Sequence, residues 1–320
     1  MPADHDHATL SRWVTSLVGG AVCQIEEVQA LWSGYGQILR VSLTDAEHDS
    51  VVVKQVRPPS VMQHPRGWSG RASHERKLRS YAVERAFYDG RTPNPHHRTA
   101  RCFAAEAYGD GARFLLEDLD AAGYGGRRQQ LSLAELNACL RWLASFHAAH
   151  LNRAPDGLWP VGTYWHLATR QDELAAMDDG ELRAAAAWLD EALRACPYQT
   201  LVHGDAKVAN FCFGRGDVAA VDFQYVGGGC GVQDVAYFLS SCLDDEQCER
   251  HAERHLDTYF AELRARVPGD VDGEEVERRW RDLYPAAWAD FHRFLAGWAP
   301  DHWKIHRYTR RMTREALARR

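Results

Sequence analysis

The sequence predicts an α+β fold with two lobes, a small β-rich N-terminal lobe and a larger helical C-terminal lobe. Its 320 residues are more than a single hydrophobic core usually organises. β-branched runs dominate the first third, and from Leu131 onward the apolar residues recur with helical spacing. The segment AAGYGG after Asp120 would supply a flexible link. We therefore expect one domain over 1–119 and a second over 120–320.

The strands of the N-terminal lobe are predicted from β-branched runs bounded by polar turns. The runs at 37–43 and 50–56 flank the polar turn DAEHD, which is typical of a hairpin. Two further strands are predicted at 101–108 and 112–119. A helical stretch at 75–88 separates the two pairs, so this lobe should mix strands with a helix.

The C-terminal lobe is predicted to be helical apart from one insert. Ser132, followed three residues later by Glu135, forms a capping-box pattern, and apolar residues at i, i+3 and i+4 continue from there. A second helix is predicted over 179–195. A β-like insert at 200–222 interrupts the helical pattern, which resumes after Val232.

Composition limits the partners and the compartment. The net charge of −6 argues against a nucleic-acid partner, because phosphate binding needs a basic face. A negative surface would also suit a cationic substrate, although solubility alone is the more usual reason for such a charge. No apolar run is long enough to span a bilayer, and the N-terminus has no signal-peptide pattern. None of the eight cysteines forms a CxxC pair, so we expect reduced thiols and a cytoplasmic protein.

The densest pattern is TLVHGDAKVANFCF at 200–213, followed by VAAVDFQ at 218–224. A strand, a polar loop and a second strand present Asp205 and Asn210, and a third short strand ends at Asp222. Phosphoryl transfer needs a carboxylate at the attacking hydroxyl and oxygen ligands for the magnesium ions that bridge the phosphates. This order of residues therefore predicts ATP- and magnesium-dependent phosphoryl transfer.

The two loops, HGDAKVAN and VDFQ, resemble the catalytic and metal-binding loops of the aminoglycoside phosphotransferase and choline kinase superfamily. The longer stretch VDFQYVGGGCGVQDVAYFL looks most like the ecdysteroid-kinase-like branch and its bacterial relatives. RKLRSYAVERAFYDG at 76–90 is similar to the αC segment of that branch, and FLLEDL at 114–119 to its hinge. The resemblance covers residues 30 to 300 and implies a bilobal protein-kinase-like fold.

The resemblance implies a role for each residue that matches the two loops. Asp205 would orient the acceptor hydroxyl and accept its proton, while Asn210 and Asp222 would hold magnesium. Lys207 is assigned from chemistry rather than from the resemblance, since a cation two residues after Asp205 could neutralise the transferring phosphate. The alternative for Lys207 is an ordinary surface lysine.

The nucleotide contacts are expected in the N-terminal lobe. Lys54, on the strand VVVKQV, would contact the α- and β-phosphates of ATP, although an isolated strand lysine is usually just solvated. Glu84 would hold Lys54 in place. Glu75 lies on the same predicted helix and is the alternative partner.

Two further segments are expected to contact the nucleotide. Gly34 and Gly36 lie in a phosphate-loop candidate, where Leu39 replaces the third glycine of G-x-G-x-x-G, so an ordinary hairpin turn is the alternative. The hinge resemblance implies nucleotide contacts at Glu117 and Leu119.

Two residues near the catalytic loop are expected to be structural. Asp234 would cap the helix that begins after Gly231 and would also brace the loop. His203 would support the same loop by packing.

The acceptor is expected to be a small molecule. The segment from Asp222 to Asp234 is short where protein kinases carry a long activation loop, and Gly204 replaces the arginine that reads a loop phosphate. The acceptor should therefore enter a pocket. Choline-like, aminoglycoside-like and steroid-like alcohols all remain open, as do a non-catalytic pseudokinase scaffold and a protein kinase.

The acceptor pocket is predicted in the C-terminal helices. The segment 284–304 carries Trp298 and Trp303 close to Asp290 and Asp301, with Trp288 one helical stretch earlier. Aromatic rings beside carboxylates could enclose a quaternary ammonium or stack on a ring system. Core packing between helices is the alternative for each tryptophan.

Overall fold

A computed structural model describes residues 2–59, 70–89 and 94–320. The chain divides into two units, each with its own core. The first combines the described residues of Met1–Asn94 with Arg98–Gly126, and the second combines Pro95–His97 with Arg127–Arg320.

An antiparallel sheet forms the body of the first unit, and its strands lie in the order β1-β2-β3-β6-β5. The strands of this unit are β1 (Gly19–Ala30), β2 (Gly36–Ala46), β3 (Ser50–Val56), β4 (Arg98–Thr99), β5 (Cys102–Tyr108) and β6 (Gly111–Glu117). The predicted hairpin is present, with Val41 of β2 opposite Val51 of β3. Both valines are fully buried, as expected for β-branched residues on the inner face of a sheet.

Two elements of the first unit were not predicted. Helix α1 (Pro2–Val18) buries Leu10 and Val14 against the sheet core, and β1 pairs along its whole length with β2. Strand β1 is mostly exposed and carries Glu and Gln side chains, so its sequence lacks the alternation by which a half-buried strand is recognised. Helix α2 (Gly70–Tyr88) contains the predicted helical stretch.

The second unit is mainly helical. Its helices are α3 (Leu133–Ala149), α4 (Gln171–Ala176), α5 (Gly180–Arg194), α6 (Val232–Cys242), α7 (Asp245–Arg264), α8 (Gly273–Trp298) and α9 (Arg307–Leu317). The predicted capping box at the start of α3 is formed, because Ser132 accepts from the Glu135 amide and Glu135 accepts from the Ser132 amide.

Four short strands make up the insert between α5 and α6. They are β7 (Thr200–Val202), β8 (Phe211–Phe213), β9 (Val218–Ala220) and β10 (Gly227–Gly229). Strands β8 and β9 form an antiparallel hairpin, and β7 pairs with β10. The hairpin packs on α3, where Trp142 makes an edge contact with Phe211 at 5.7 Å between ring centroids. The polar loops of the insert thus rest on a rigid aromatic core.

The predicted fold class is confirmed, since a mixed α+β chain carries its antiparallel sheet in the N-terminal region and its helices in the C-terminal region. Within the described ranges, no helix has both the length and the hydropathy needed to cross a membrane.

Candidate active site

The loop that carries Asp205 is held by the buried carboxylate of Asp234. This carboxylate accepts hydrogen bonds from the backbone amides of His203 at 2.5 Å and Gly204 at 2.9 Å, and it lies 3.1 Å from Nε2 of His147. The brace predicted for Asp234 is therefore present. The predicted cap is not, since the carboxylate is turned to the loop rather than to the first turn of α6.

Gly204 is required by the backbone at that point. Its φ is +79°, and a Cβ atom there would lie 2.1 Å from the carbonyl oxygen of Tyr225. Only glycine avoids this overlap and the strain of the left-handed region together. The packing of the loop thus excludes the arginine that protein kinases carry here. His203 supports the loop as expected, with its ring 4.7 Å from that of Phe223.

Asp205 is buried, and three side chains orient its carboxylate. Lys207 Nζ donates to Oδ2 at 2.9 Å, and Asn210 Nδ2 donates to the same oxygen at 3.1 Å. The hydroxyl of Tyr237, on α6, donates to Oδ1 at 3.0 Å. A carboxylate fixed at both oxygens is the arrangement expected of a group that must orient a substrate hydroxyl.

Asn210 and Asp222 are brought together by the register of the β8–β9 hairpin. Phe211 pairs with Ala220, and the Val221 amide donates to the Asn210 carbonyl at 3.0 Å, so the two residues flank the same end of the hairpin. Asp222 has a φ of +69°, a left-handed conformation that aspartate tolerates better than most residues.

These two residues fit a magnesium ion. The amide nitrogen of Asn210 donates to Asp205. The Oδ1 atom of Asn210 makes no hydrogen bond to the described residues, so that oxygen is available as a ligand. Asp222 is half-buried and adds a carboxylate, with Gln224 donating to its Oδ1. Magnesium in phosphoryl-transfer sites usually takes few protein oxygens and completes its shell with water and phosphate. No larger cluster of His, Cys, Asp or Glu suited to a metal occurs in the described residues.

Lys207 is half-buried rather than a free surface lysine. Burial favours its neutral form, but the charge of Asp205 and the hydrogen bond to that residue outweigh burial, and the pKa of Lys207 is raised. Lys207 therefore stays charged beside Asp205 at neutral pH.

In the first unit, Lys54 and Glu84 form a buried ion pair. Nζ of Lys54 donates to both carboxylate oxygens of Glu84 at 2.8 Å. Lys54 lies on β3 and Glu84 on α2, and both are among the buried charged residues of the described chain. Buried charges are stable only when they are paired in this way, so the solvated-lysine alternative for Lys54 does not hold.

Gly34 and Gly36, the glycines of the β1–β2 turn, differ in their local backbone surroundings. Gly36 has a φ of +132°, and a Cβ atom there would lie 2.0 Å from the Gln55 carbonyl oxygen, so glycine lets β2 approach β3. Gly34 has a φ of +73° and open space where a side chain would be. The Gly34 and Tyr35 amides donate weakly within the turn, at 3.2 and 3.3 Å.

The hinge segment is anchored by residues that the sequence reasoning missed. Asp118 is buried and accepts from Arg40 and Ser50, both at 2.7 Å. Burial raises the pKa of Asp118, but these hydrogen bonds outweigh burial and lower it overall. Glu117 pairs with Arg98, and the Leu119 carbonyl accepts from the Tyr124 amide at 2.7 Å.

The proposed acceptor residues of 284–304 do not form one group. Asp290 is buried and bonded internally, with Arg293 donating to Oδ1 at 2.9 Å and Trp165 to Oδ2 at 3.0 Å. Trp288 is fully buried in the helix core. The internal hydrogen bonds of Asp290 and the full burial of Trp288 agree with the core-packing alternative.

The remaining residues of that segment are more accessible. Trp298 is half-buried and stacks on Phe294 at 5.8 Å, whereas Trp303 is 58% exposed. Asp301 is exposed as well. The sequence reasoning missed Tyr237 and Lys304, although Lys304 directly follows Trp303 and the chain has only four lysines among its 38 basic residues.

Replacing Asp234 with alanine should destabilise the second unit. Two buried backbone amides and His147 would lose their acceptor, and each unsatisfied buried group costs about 1–3 kcal/mol. We therefore expect the free energy of unfolding, measured with urea, to fall by about 2–5 kcal/mol. Asp244→Ala is the matched control, because Asp244 caps the exposed start of α7 and should cost only about 1 kcal/mol. Equal losses in the two variants would contradict the bracing role.

A known protein family matches most of this chain. The phosphotransferase enzyme family matches the chain over residues 27–269. No curated protein sequence matches the chain significantly.

Solved structures share the fold at low sequence identity. Choline kinase from Cryptosporidium parvum Iowa II is 12% identical with a TM-score of 0.55, and the match covers 98% of this chain and 94% of that one. Amicoumacin kinase, solved with AMP-PNP, Ca²⁺ and Ami, is 13% identical with a TM-score of 0.53, covering 99% and 93% of the two chains. At such identity the likeness extends to the kinase-like fold alone.

Proposed function

We propose that this chain, which belongs to the phosphotransferase enzyme family, transfers the γ-phosphate of ATP to the hydroxyl of a small molecule in a magnesium-dependent reaction. The observation that carries the proposal is the grouping of Asp205, Asn210 and Asp222 on one braced loop and one hairpin end. We further propose kinship with the ecdysteroid-kinase-like branch, on the stretch VDFQYVGGGCGVQDVAYFL.

Asp205 supplies the chemistry at the acceptor. Its carboxylate accepts a hydrogen bond from the acceptor hydroxyl and takes the proton as the new oxygen–phosphorus bond forms and the bond to the ADP oxygen breaks. Lys207, Asn210 and Tyr237 hold the carboxylate in one orientation. Positioning of this kind is most of what phosphoryl transfer asks of a protein.

Asn210 Oδ1 and the Asp222 carboxylate would hold magnesium. When bound, this ion neutralises charge on the phosphate oxygens. Lys207 adds a second positive charge beside Asp205, where it would oppose the negative charge of the transferring group.

The nucleotide contacts are proposed in the N-terminal domain, 1–119, and catalysis and acceptor binding in the domain over 120–320. Lys54, held by Glu84, would contact the α- and β-phosphates. The β1–β2 turn with Gly34 and Gly36 would lie at the phosphates, and the hinge backbone at Glu117 and Leu119 would contact the base.

The acceptor is proposed to lie against the C-terminal helices, with Trp298, Trp303 and Asp301 in its wall. Asp290 would support that wall through Arg293 rather than contact the acceptor. The short 222–234 segment offers no platform for an extended peptide, which favours a small alcohol over a protein substrate.

A screen of ATP consumption over a library of hydroxyl-bearing metabolites tests the proposal. We expect turnover that requires magnesium and at least one library member. ATP binding without turnover on any member would instead indicate a non-catalytic scaffold. Phosphate transfer to proteins in a parallel assay, with none to small alcohols, would indicate a protein kinase.

Glu84→Gln should weaken nucleotide use specifically. The substitution removes a buried countercharge from Lys54, which would lose its fixed position, so we expect the KM for ATP to rise about tenfold or more. Glu75→Gln is the matched control, because Glu75 is exposed on the same helix. Steady-state kinetics at saturating acceptor would measure both variants, and an unchanged KM in Glu84→Gln would contradict the role of the pair.

A further inference from the structure

Lys304 lies in a cluster of aromatic rings next to the catalytic carboxylate. Its Nζ is 4.7 Å from the ring centroid of Tyr237, 5.4 Å from that of Phe291 and 5.7 Å from that of Trp303. Tyr237 is the residue whose hydroxyl donates to Asp205. Tyr237 therefore contacts both the Lys304 ammonium group and the proposed base.

The ammonium group of Lys304 makes no direct ion pair with any carboxylate of the described residues. None of the ion pairs found there includes Lys304, and its Nζ makes no hydrogen bond to them, although an ammonium group carries three donors. Ring faces attract a cation but do not accept its hydrogen bonds as an oxygen does.

Burial destabilises the charged form of Lys304. It lowers the pKa of Lys304 to about 8, against the opposing effect of the Asp205 charge. Lys304 is still mainly charged at neutral pH, so the site holds a half-buried cation that an anionic ligand would stabilise.

The same geometry opposes a cationic acceptor. The aromatic cluster of Tyr237, Phe291 and Trp303 is the type of surface that binds an ammonium ligand, but the chain's own ammonium already faces it. A second cation there would be repelled by Lys304 and by the neighbouring Lys207. Asp290, the nearby buried carboxylate, is neutralised by Arg293.

We propose that Lys304 determines acceptor specificity by binding an anionic group, a carboxylate or a phosphate, of the alcohol whose hydroxyl faces Asp205. This inference rests on the proposed function and narrows its acceptor to anionic alcohols. The ammonium group of lysine is a compact point charge that can pair with a carboxylate or a phosphate.

The test uses the full chain and a library of hydroxyl compounds sorted into anionic, neutral and cationic sets. The library includes pairs of compounds that share one carbon skeleton and differ in charge. Two such pairs are 3-hydroxypropanoate with 3-amino-1-propanol, and glycerate with glycerol. We expect the highest kcat/KM on an anionic member. Lys304→Met, which keeps the apolar stem between the rings, should raise the KM for that acceptor about tenfold or more while the KM for ATP stays within about twofold. Lys304→Arg, which keeps the charge, should raise the acceptor KM less than Lys304→Met does.

Three results would overturn the inference. These are a best acceptor that is neutral or cationic, an unchanged acceptor KM in a folded Lys304→Met variant, and a rise in the KM for ATP alone, which would instead assign Lys304 to the nucleotide phosphates. All three leave the proposed phosphotransfer standing as long as turnover depends on Asp205. An absence of Asp205-dependent turnover on every set would defeat the proposed function itself, and the inference with it.

Discussion

Asp205→Asn is expected to lower turnover by a factor on the order of 10²–10⁴ while leaving ATP binding intact. The amide keeps the size of the side chain and can still meet Tyr237, but it cannot take the proton from the acceptor hydroxyl. Lys207 would also lose the partner that holds it at 2.9 Å. Coupled ADP release measures turnover, and a thermal shift with ATP and magnesium measures binding.

Asp217→Asn is the matched control for this substitution. Asp217 is exposed at the far turn of the β8–β9 hairpin, so the same chemical change there should leave turnover within about twofold of the unsubstituted protein. Near-normal turnover in Asp205→Asn would refute its role as the base. A loss of ATP protection in that variant would show a structural effect instead.

Asp222→Asn is expected to abolish the magnesium-dependent part of nucleotide stabilisation. Ligand present at about 100 times its Kd stabilises a protein by about 2.7 kcal/mol, which corresponds to a rise in melting temperature of a few degrees for a chain of this size. Replacing the carboxylate by an amide removes the charge that attracts the metal. The shift with ATP and magnesium should then fall to the shift with ATP and EDTA.

Asparagine is chosen because Asp222 has a φ of +69°, a conformation that asparagine also tolerates. Asp222→Ala would add backbone strain, so a lower melting temperature without ligand in the alanine variant alone would report that strain. If the magnesium-dependent shift survives in Asp222→Asn, the metal is held by other residues.

Much of the fold followed from local patterns. The β2–β3 hairpin, α2 and the capping box of α3 were predicted because each is signalled by side chains within a few residues of one another. Helix α1 and strand β1 were both missed. For β1 the reason is that an exposed edge strand with charged side chains has no such signal. Its strand identity comes from pairing with β2.

The candidate site divides in the same way. The sequence by itself determined the kinase-like fold class, the order of Asp205, Asn210 and Asp222, and the choice of Lys54 and Glu84, because short motifs carry these features. Only the tertiary structure decided that the Asp234 carboxylate binds the loop and does not cap α6, and that Tyr237 and Lys304 lie near Asp205. The physical reason is distance along the chain. A hydrogen bond from Tyr237 to Asp205, or the contact of the Lys304 ammonium group with the Tyr237 ring, joins residues dozens of positions apart, and no local pattern records which helix faces will meet.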